Sequence, residues 1–286
     1  MASTIVLKRR ITSIKNTRQI TKAMELVSAS KLRRAQEYAN QSKAYHELAT
    51  ELLARLSAIK EVENQPLFLK RPVKNRLYLV ITSSSGLAGA YNANVLKLLA
   101  QDLAELKAGS NQVIAVGNKG AQFVRRIREA ELLAVYPSFG DHPTANDVRP
   151  ILNTIIDSYK AGSVDEVRII YTVFNSSISQ RATDLVLVPA QKLEDVSTQD
   201  VISNFEPDVE TVVDQVATRL IEAEIWQSVL ESLASEHAMR MVAMKNATDN
   251  AKDLIDDYTL ELNTARQASI TQELAEISGG AEAING

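Results

Sequence analysis

The chain contains no cysteine, and its prolines and most of its glycines are confined to the middle. Without cysteine it can form neither disulfides nor thiolate metal sites and can carry out no thiol chemistry, which suits a reducing compartment. All seven prolines lie between Pro66 and Pro207, and residues 1–65 and 208–278 hold no proline and no glycine. The two ends thus lack helix breakers and are expected to be long helices. Residues 208–278, as one helix, would reach roughly 105 Å at ~1.5 Å per residue, far beyond the width of a small domain. Such a rod needs a partner. Long apolar runs are also missing. No stretch approaches the ~18 uninterrupted apolar residues of a membrane span, so a soluble chain is expected.

The C-terminal run shows what kind of partner it needs. In steps of four and three from Val209, through Val213, Val216 and Leu220 to Ile255, Tyr258, Leu262, Ala265 and Ser269, fourteen of eighteen positions are apolar and none is Asp, Glu, Lys or Arg. A sustained period of 3.5 residues predicts a left-handed supercoil. His237 falls on this seam, where a polar residue more often sets register than performs chemistry.

The N-terminal run is less regular. Its apolar stripes are Leu7, Ile11, Ile14, then Ile20, Met24, Val27, then Leu32, Ala35, Ala39, with an expected phase slip near Arg18. Residues 1–65 hold twelve Lys/Arg against six Asp/Glu, whereas residues 208–286 hold five against fifteen. Opposite charge favours pairing of the two ends, and a globular insert between them makes an antiparallel hairpin the simplest geometry. The first 24 residues carry Lys8, Arg9, Arg10, Lys15, Arg18 and Lys22 and no acid, in the manner of a transit peptide. The same helix continues through Glu25 to Lys31 without a break, so the basic start is read as part of the mature rod.

The middle alternates strand and helix. Strands are expected at Arg76–Thr82, Gln112–Gly117, Leu132–Tyr136, Glu166–Phe174 and Asp184–Val188. Helices are expected at Asn92–Leu106, Lys119–Glu129 and Ala145–Ala161. That order predicts a doubly wound, mostly parallel sheet. The division is thus a first long helix (1–65), an inserted α/β domain (66–207) and a second long helix (208–286). The fold class is α/β: a long antiparallel coiled coil of the terminal helices with a Rossmann-like insert.

The insert shows no catalytic motif. Ser85-Gly-Leu-Ala-Gly89 sits where a dinucleotide fingerprint would sit but lacks G-x-G-x-x-G spacing, and Gly117-Asn-Lys-Gly120 is no better. Neither is a P-loop. The histidines His46, His142 and His237 are scattered without metal-ligand spacing. Ser83, Ser84 and Ser85 form no nucleophile elbow. The carboxylates of residues 208–286 read as solvated helix faces. No metal or cofactor is expected.

Three stretches carry a family resemblance: Ile11-Thr-Ser-Ile-Lys-Asn-Thr-Arg-Gln-Ile-Thr-Lys-Ala-Met-Glu-Leu-Val-Ser-Ala-Ser-Lys31, Arg240-Met-Val-Ala-Met-Lys-Asn-Ala-Thr-Asp-Asn250, and Ala265-Arg-Gln-Ala-Ser-Ile-Thr-Gln-Glu-Leu-Ala-Glu-Ile277. With Gly86-Leu-Ala-Gly89 and Glu206-Pro-Asp208, they resemble the gamma subunit of F-type ATP synthases along essentially the whole chain. The resemblance implies a non-catalytic central stalk. Its paired terminal helices would stand inside a hexamer of alpha and beta subunits, and its α/β domain would rest on the membrane c-ring beside the epsilon subunit. It implies that Met24, Arg266, Gln267, Thr271 and Glu273 contact the beta subunits, with Lys22 added on electrostatic grounds. Polar residues around Arg18, Thr21, Lys22 and Ser28 are expected opposite Arg266–Glu273. Lys31, Phe205, Glu206 and Asp208 would belong to the foot that touches c-ring or epsilon.

The chain departs from the family where many relatives carry an Asp before the Gly-Leu-Ala-Gly turn. Here the residues are Ser83-Ser-Ser85, which puts a polar contact there in doubt. The missing cysteine argues against thiol regulation, and the expected site is the cytoplasmic side of a bacterial plasma membrane. Two other classes compete with this reading. A nucleotide-dependent enzyme would need a true glycine fingerprint. A nucleic-acid scaffold could use the basic first 36 residues, but the chain carries net charge −3.

Overall fold

The computed structural model describes residues 4–57, 65–105, 109–140, 142–190 and 209–285. Two long helices flank the rest: α1 (Thr4–Ser57) and, last in the chain, α5 (Val209–Asn285, 77 residues). Between them come β1 (Asn75–Ile81), α2 (Tyr91–Glu105), β2 (Ser110–Val116), α3 (Asn118–Val124), β3 (Glu131–Tyr136), α4 (Arg149–Lys160), β4 (Glu166–Phe174) and β5 (Gln180–Val188). The long helices form where the sequence contains no proline, α5 running on through Gly279 and Gly280, and they are joined through the proline-bearing segment. The chain has two compact units, one of residues 1–27 with 241–286 and one of residues 28–240, so both long helices contribute to each.

Within the second unit the strand order is β3-β2-β1-β4-β5. The β1–β2, β1–β4 and β2–β3 pairs are parallel, and β5 returns antiparallel on β4. Leu77, Tyr78, Leu79 and Val80 are all buried, as expected for a parallel strand covered on both faces. One layer of core packs Tyr78, Val80, Val113 and Ile170 of the sheet with Val95, Leu99 and Leu103 of α2 and Val124 of α3. α4 buries Ile151, Leu152, Ile155, Ile156 and Tyr159, a stripe at helical spacing.

Three boundaries in the insert differ from the sequence reading by more than two residues, each for a local reason. The helix expected to reach Glu129 stops at Val124, because Arg126 and Ile127 donate to Phe123 and Val124 in tight i→i−3 bonds. The helix expected from Ala145 opens with a 3₁₀ turn, Ala145–Val148, held by a reciprocal cap between Thr144 and Asp147, and Pro150 sits in the first turn of α4. The last strand starts at Gln180, four residues before expectation, because the β4–β5 hairpin registers Phe174 on Gln180. Its polar start, Gln-Arg-Ala-Thr, gives no strand signal by itself.

Candidate functional site

In the first unit α1 and α5 run antiparallel. The Arg10 guanidinium lies 5.7 Å from the Tyr258 ring centre, and the Thr21 and Thr248 hydroxyls are hydrogen-bonded at 2.8 Å. The residue number thus rises along α1 as it falls along α5. On α5 the predicted heptad positions Met244, Thr248, Ala251, Ile255, Tyr258, Leu262 and Ala265 are all covered, with Val242, Ala243, Ala247 and Ala268 beside them. On α1 the covered positions include Leu7, Ile11, Ile14, Thr21 and Met24.

The expected phase slip near Arg18 is absent. Ile20 and Val27 are 61% and 55% exposed, and the seam passes through Thr21 instead, one residue away. A hydroxyl pair that satisfies itself can occupy a seam position, so an apolar-only pattern misses it. In the second unit Ser28, with the same spacing, is likewise buried.

The residues predicted to meet partners separate into groups. Lys22 is exposed and pairs with Glu25 at 2.9 Å, while Met24 is half-buried. Arg266, Gln267, Thr271 and Glu273 are exposed, with Glu273 Oε1 3.4 Å from the Ser269 hydroxyl. They are not opposite Arg18–Ser28. Thr21 faces Thr248, which is about 27 Å along the helix from Arg266 at ~1.5 Å per residue. Lys31, in the second unit, is half-buried. Phe205, Glu206 and Asp208 lie outside the described residues. From Ser269 to Gly280 α5 is exposed throughout, including Ile270, Leu274 and Ile277.

In the second unit the sheet has the geometry of a nucleotide-binding fold at its switch point, where β1 connects toward β2 on one side and β4 lies on the other. The backbone there is already engaged. Gly120 N donates to Thr82 Oγ1 at 2.8 Å, and Lys119 N donates to the Ser83 carbonyl at 3.1 Å. Gly117 has φ +85°, and a Cβ on it would lie 2.2 Å from the Thr82 carbonyl oxygen, so this glycine serves a close backbone crossing.

What fills the crevice is α5. Beyond the last β1–β4 pair, Val80 with Ile170, Thr172 has no β1 residue beside it. Its N–H donates to Ser232 Oγ at 3.3 Å, and its carbonyl accepts from Ser235 Oγ at 3.2 Å. Tyr91, fully buried, hydrogen-bonds Ser232, and burial pushes its hydroxyl well above the usual tyrosine range. One turn on, Arg240 Nη2 is 2.7 Å from Glu236 Oε1 and donates to Ser85 Oγ at 3.1 Å. Ser83, held by Asn92 at 2.8 Å, donates to the Ser85 carbonyl at 2.6 Å. Ser85 therefore does make a polar contact, although the sequence had put one there in doubt. Glu222 and Glu236 are buried, which corrects the reading of every carboxylate on this helix as solvated. Burial raises the Glu236 carboxyl above its ordinary value, opposed by Arg240. His237, expected to set register, is half-buried with Arg240 Nη1 3.4 Å away.

Two further titratable clusters lie in this unit. His46 Nε2 on α1 is 2.6 Å from Glu224 Oε2 on α5, and that hydrogen bond raises the imidazole above its usual value. On the sheet, Arg168 Nη1 is 3.3 Å from Asp102 Oδ2 and 2.8 Å from Asp184 Oδ2. Burial first, and then the neighbouring carboxylate, pushes Asp184 up to about 6. Asp102 is also raised by burial. Among the described residues no group of three or more His, Asp or Glu side chains could hold a metal, and no helix is long and apolar enough to cross a membrane.

Comparison with known proteins is consistent with this geometry. Residues 3–284 match the family model described as ATP synthase. An ATP synthase gamma chain of Desulfitobacterium hafniense is 41% identical over 99% of this chain and 100% of its own length. One of Staphylococcus carnosus is 41% identical with the same coverage. A chain of the Euglena gracilis mitochondrial ATP synthase, solved with OSCP, F1 and c-ring, superposes with TM-score 0.67 at 18% identity, covering 98% of this chain and 94% of its own. A chain from the Tetrahymena thermophila central stalk and c-ring superposes at 0.63 and 22% identity, covering 80% and 99%. The inserted parallel sheet and the flanking helices are shared with those stalks, and by sequence the chain belongs to the ATP synthase gamma chain family.

Proposed function

We infer that this chain is the central-stalk, or rotor, subunit of an F-type ATP synthase. It couples ion-driven rotation of a membrane c-ring to ATP synthesis or hydrolysis in a hexamer of alpha and beta subunits, and it carries no catalytic site itself. The observation that carries this reading is the end of α5, where Ile270, Leu274 and Ile277 are bare on a helix with no covering of its own. Apolar helix surface of that kind calls for an enclosing partner.

In this reading the division is a shaft helix at 1–65, an inserted domain at 66–207 and a second shaft helix at 208–286. Lys22 and Met24 meet the beta subunits at one level of the shaft, and Arg266, Gln267, Thr271 and Glu273 meet them at another. Lys31, Phe205, Glu206 and Asp208 serve the foot, where the inserted domain rests on the c-ring beside epsilon. The complex sits at the cytoplasmic side of a bacterial plasma membrane.

Mixing the chain with cognate alpha and beta subunits tests the reading. It requires co-elution at one copy per three alpha–beta pairs, with ATPase turnover above that of the pairs alone. No complex, or ATP hydrolysis by the chain alone, would return the question to a nucleotide-dependent enzyme.

A further inference from the structure

A rotor must pass load between its globular part and its shaft, and apolar packing is poorly suited to that by itself. Hydrophobic contact is non-directional, so a helix can roll or slide on an apolar surface while keeping most of the area it buries. Directional bonds resist such slip, because they are lost within a few tenths of an ångström or tens of degrees. In the second unit such bonds cluster where α5 crosses the carboxyl ends of β1 and β4.

Ser232 and Ser235 are essentially without exposure, and Glu236 and Arg240 are 8% exposed each. Serine is a mediocre helix former and gains little from burial, so helix stability does not explain two of them here. Their hydroxyls take both backbone groups of a single residue, Thr172, which the end of β1 leaves unpaired. Moving α5 by one residue in either direction would break both bonds. A turn further on, Arg240 bridges Glu236 of its own helix to Ser85 in the loop after β1. That loop is itself fixed by Ser83 and Asn92 and by residues with positive φ, Leu87 at 63° and Gly89 at 55°.

The geometry points to Ser232, Ser235 and Arg240 as the register lock of the rotor: positioning residues that keep the shaft helix from slipping against the inserted domain under load. The inference rests on the rotor reading above. It gives a function to the crevice that related sheet architectures use for a ligand, with α5 taking the ligand's place.

The test uses the full chain, first alone and then assembled with cognate alpha, beta, epsilon and c-ring subunits in proteoliposomes. The variants are Ser232→Ala with Ser235→Ala, Arg240→Lys, and the triple Ser232→Ala, Ser235→Ala, Arg240→Met. In the isolated chain, hydrogen exchange of the Thr172 amide and of residues 83–89 is expected to speed up by about tenfold, the effect of losing one ordinary net hydrogen bond. In the assembled enzyme, ATP-driven proton pumping per ATP hydrolysed is expected to fall, most in the triple variant. Arg240→Lys should fall least, since an ammonium can reach Glu236 or Ser85 but not both. If the triple variant does not fold, the serine pair alone decides the matter. Unchanged exchange would show that the bonds hold nothing. Faster exchange with an unchanged pumping ratio would show that they carry no load. Either result overturns the lock. Failure of the parent chain to assemble would instead overturn the rotor reading, and it is read before any variant is made.

Discussion

In the parallel sheet, Leu77 to Val80 of β1 are covered from both faces, so every residue contributes to the core. Between Asp249 and Ala268 only every third or fourth residue of α5 is covered, and Ser269 to Gly280 are exposed throughout. The first region carries its own hydrophobic stabilisation. The second has a seam that mixes apolar side chains with small and hydroxylic ones, and an apolar tip that no described residue covers. The sheet buries its apolar side chains within its own unit, and the end of α5 leaves its apolar side chains exposed.

Truncation probes that contrast most severely. Removing residues 266–286 should abolish most ATP-driven proton pumping in the assembled enzyme, while the thermal midpoint of the isolated chain moves by less than about 2 °C because residues 266–280 hold no buried side chain. A truncated chain that still pumps at the parent rate would refute the assignment of Arg266, Gln267, Thr271 and Glu273.

Leu99→Ala reverses the expectation. Leu99 is fully buried between α2 and the sheet, so denaturant unfolding should show a loss of about 2–5 kcal/mol. A loss below 1 kcal/mol would mean that this core can collapse around the gap.

Asp184 supplies a smaller, pH-dependent effect. Its carboxyl is raised from 3.8 to about 6 in the folded chain. The protonated form is thus favoured by folding, and its contribution is fully present below pH 4 and lost as pH rises toward and through 6. Asp184→Asn should flatten stability between pH 4 and 6 and raise it at pH 8 by on the order of 1 kcal/mol. Urea titrations at pH 5 and pH 8 give the difference directly, and an unchanged pH dependence would show that folding does not favour the protonated Asp184 carboxyl.

The smallest effect belongs to the seam. A double-mutant cycle on Thr21→Val and Thr248→Val should give a coupling of about 0.5–1.5 kcal/mol, the net value of one hydrogen bond. Additive changes would mean that the two hydroxyls are neighbours without being partners.

Much of this architecture was legible in the residues. The heptad from Met244 to Ala265 matches the covered face of α5, because the period of an apolar seam is a direct image of helix geometry. The strand–helix alternation gave the sheet for the same reason. The α1 seam was misread at Ile20 and Val27, since its inward side chains there are Thr21 and Ser28, and buried hydroxyls look like surface. The contact of Ser85 with Arg240 was also out of reach, as it joins residues far apart in sequence and has no motif. A buried serine row at Ser228, Ser232 and Ser235, spaced by four and three, was the one available hint of the joint.

By itself the sequence determined where helices could run unbroken, that they had to pair, and that the insert would be a parallel sheet without a phosphate-binding loop. These follow from backbone chemistry and periodicity, which act locally. Only the tertiary structure decided which polar residues turn inward and what occupies the crevice at the ends of β1 and β4. A hydroxyl or guanidinium is equally at home in water or in a satisfied buried bond, and only the position of its partner decides between the two.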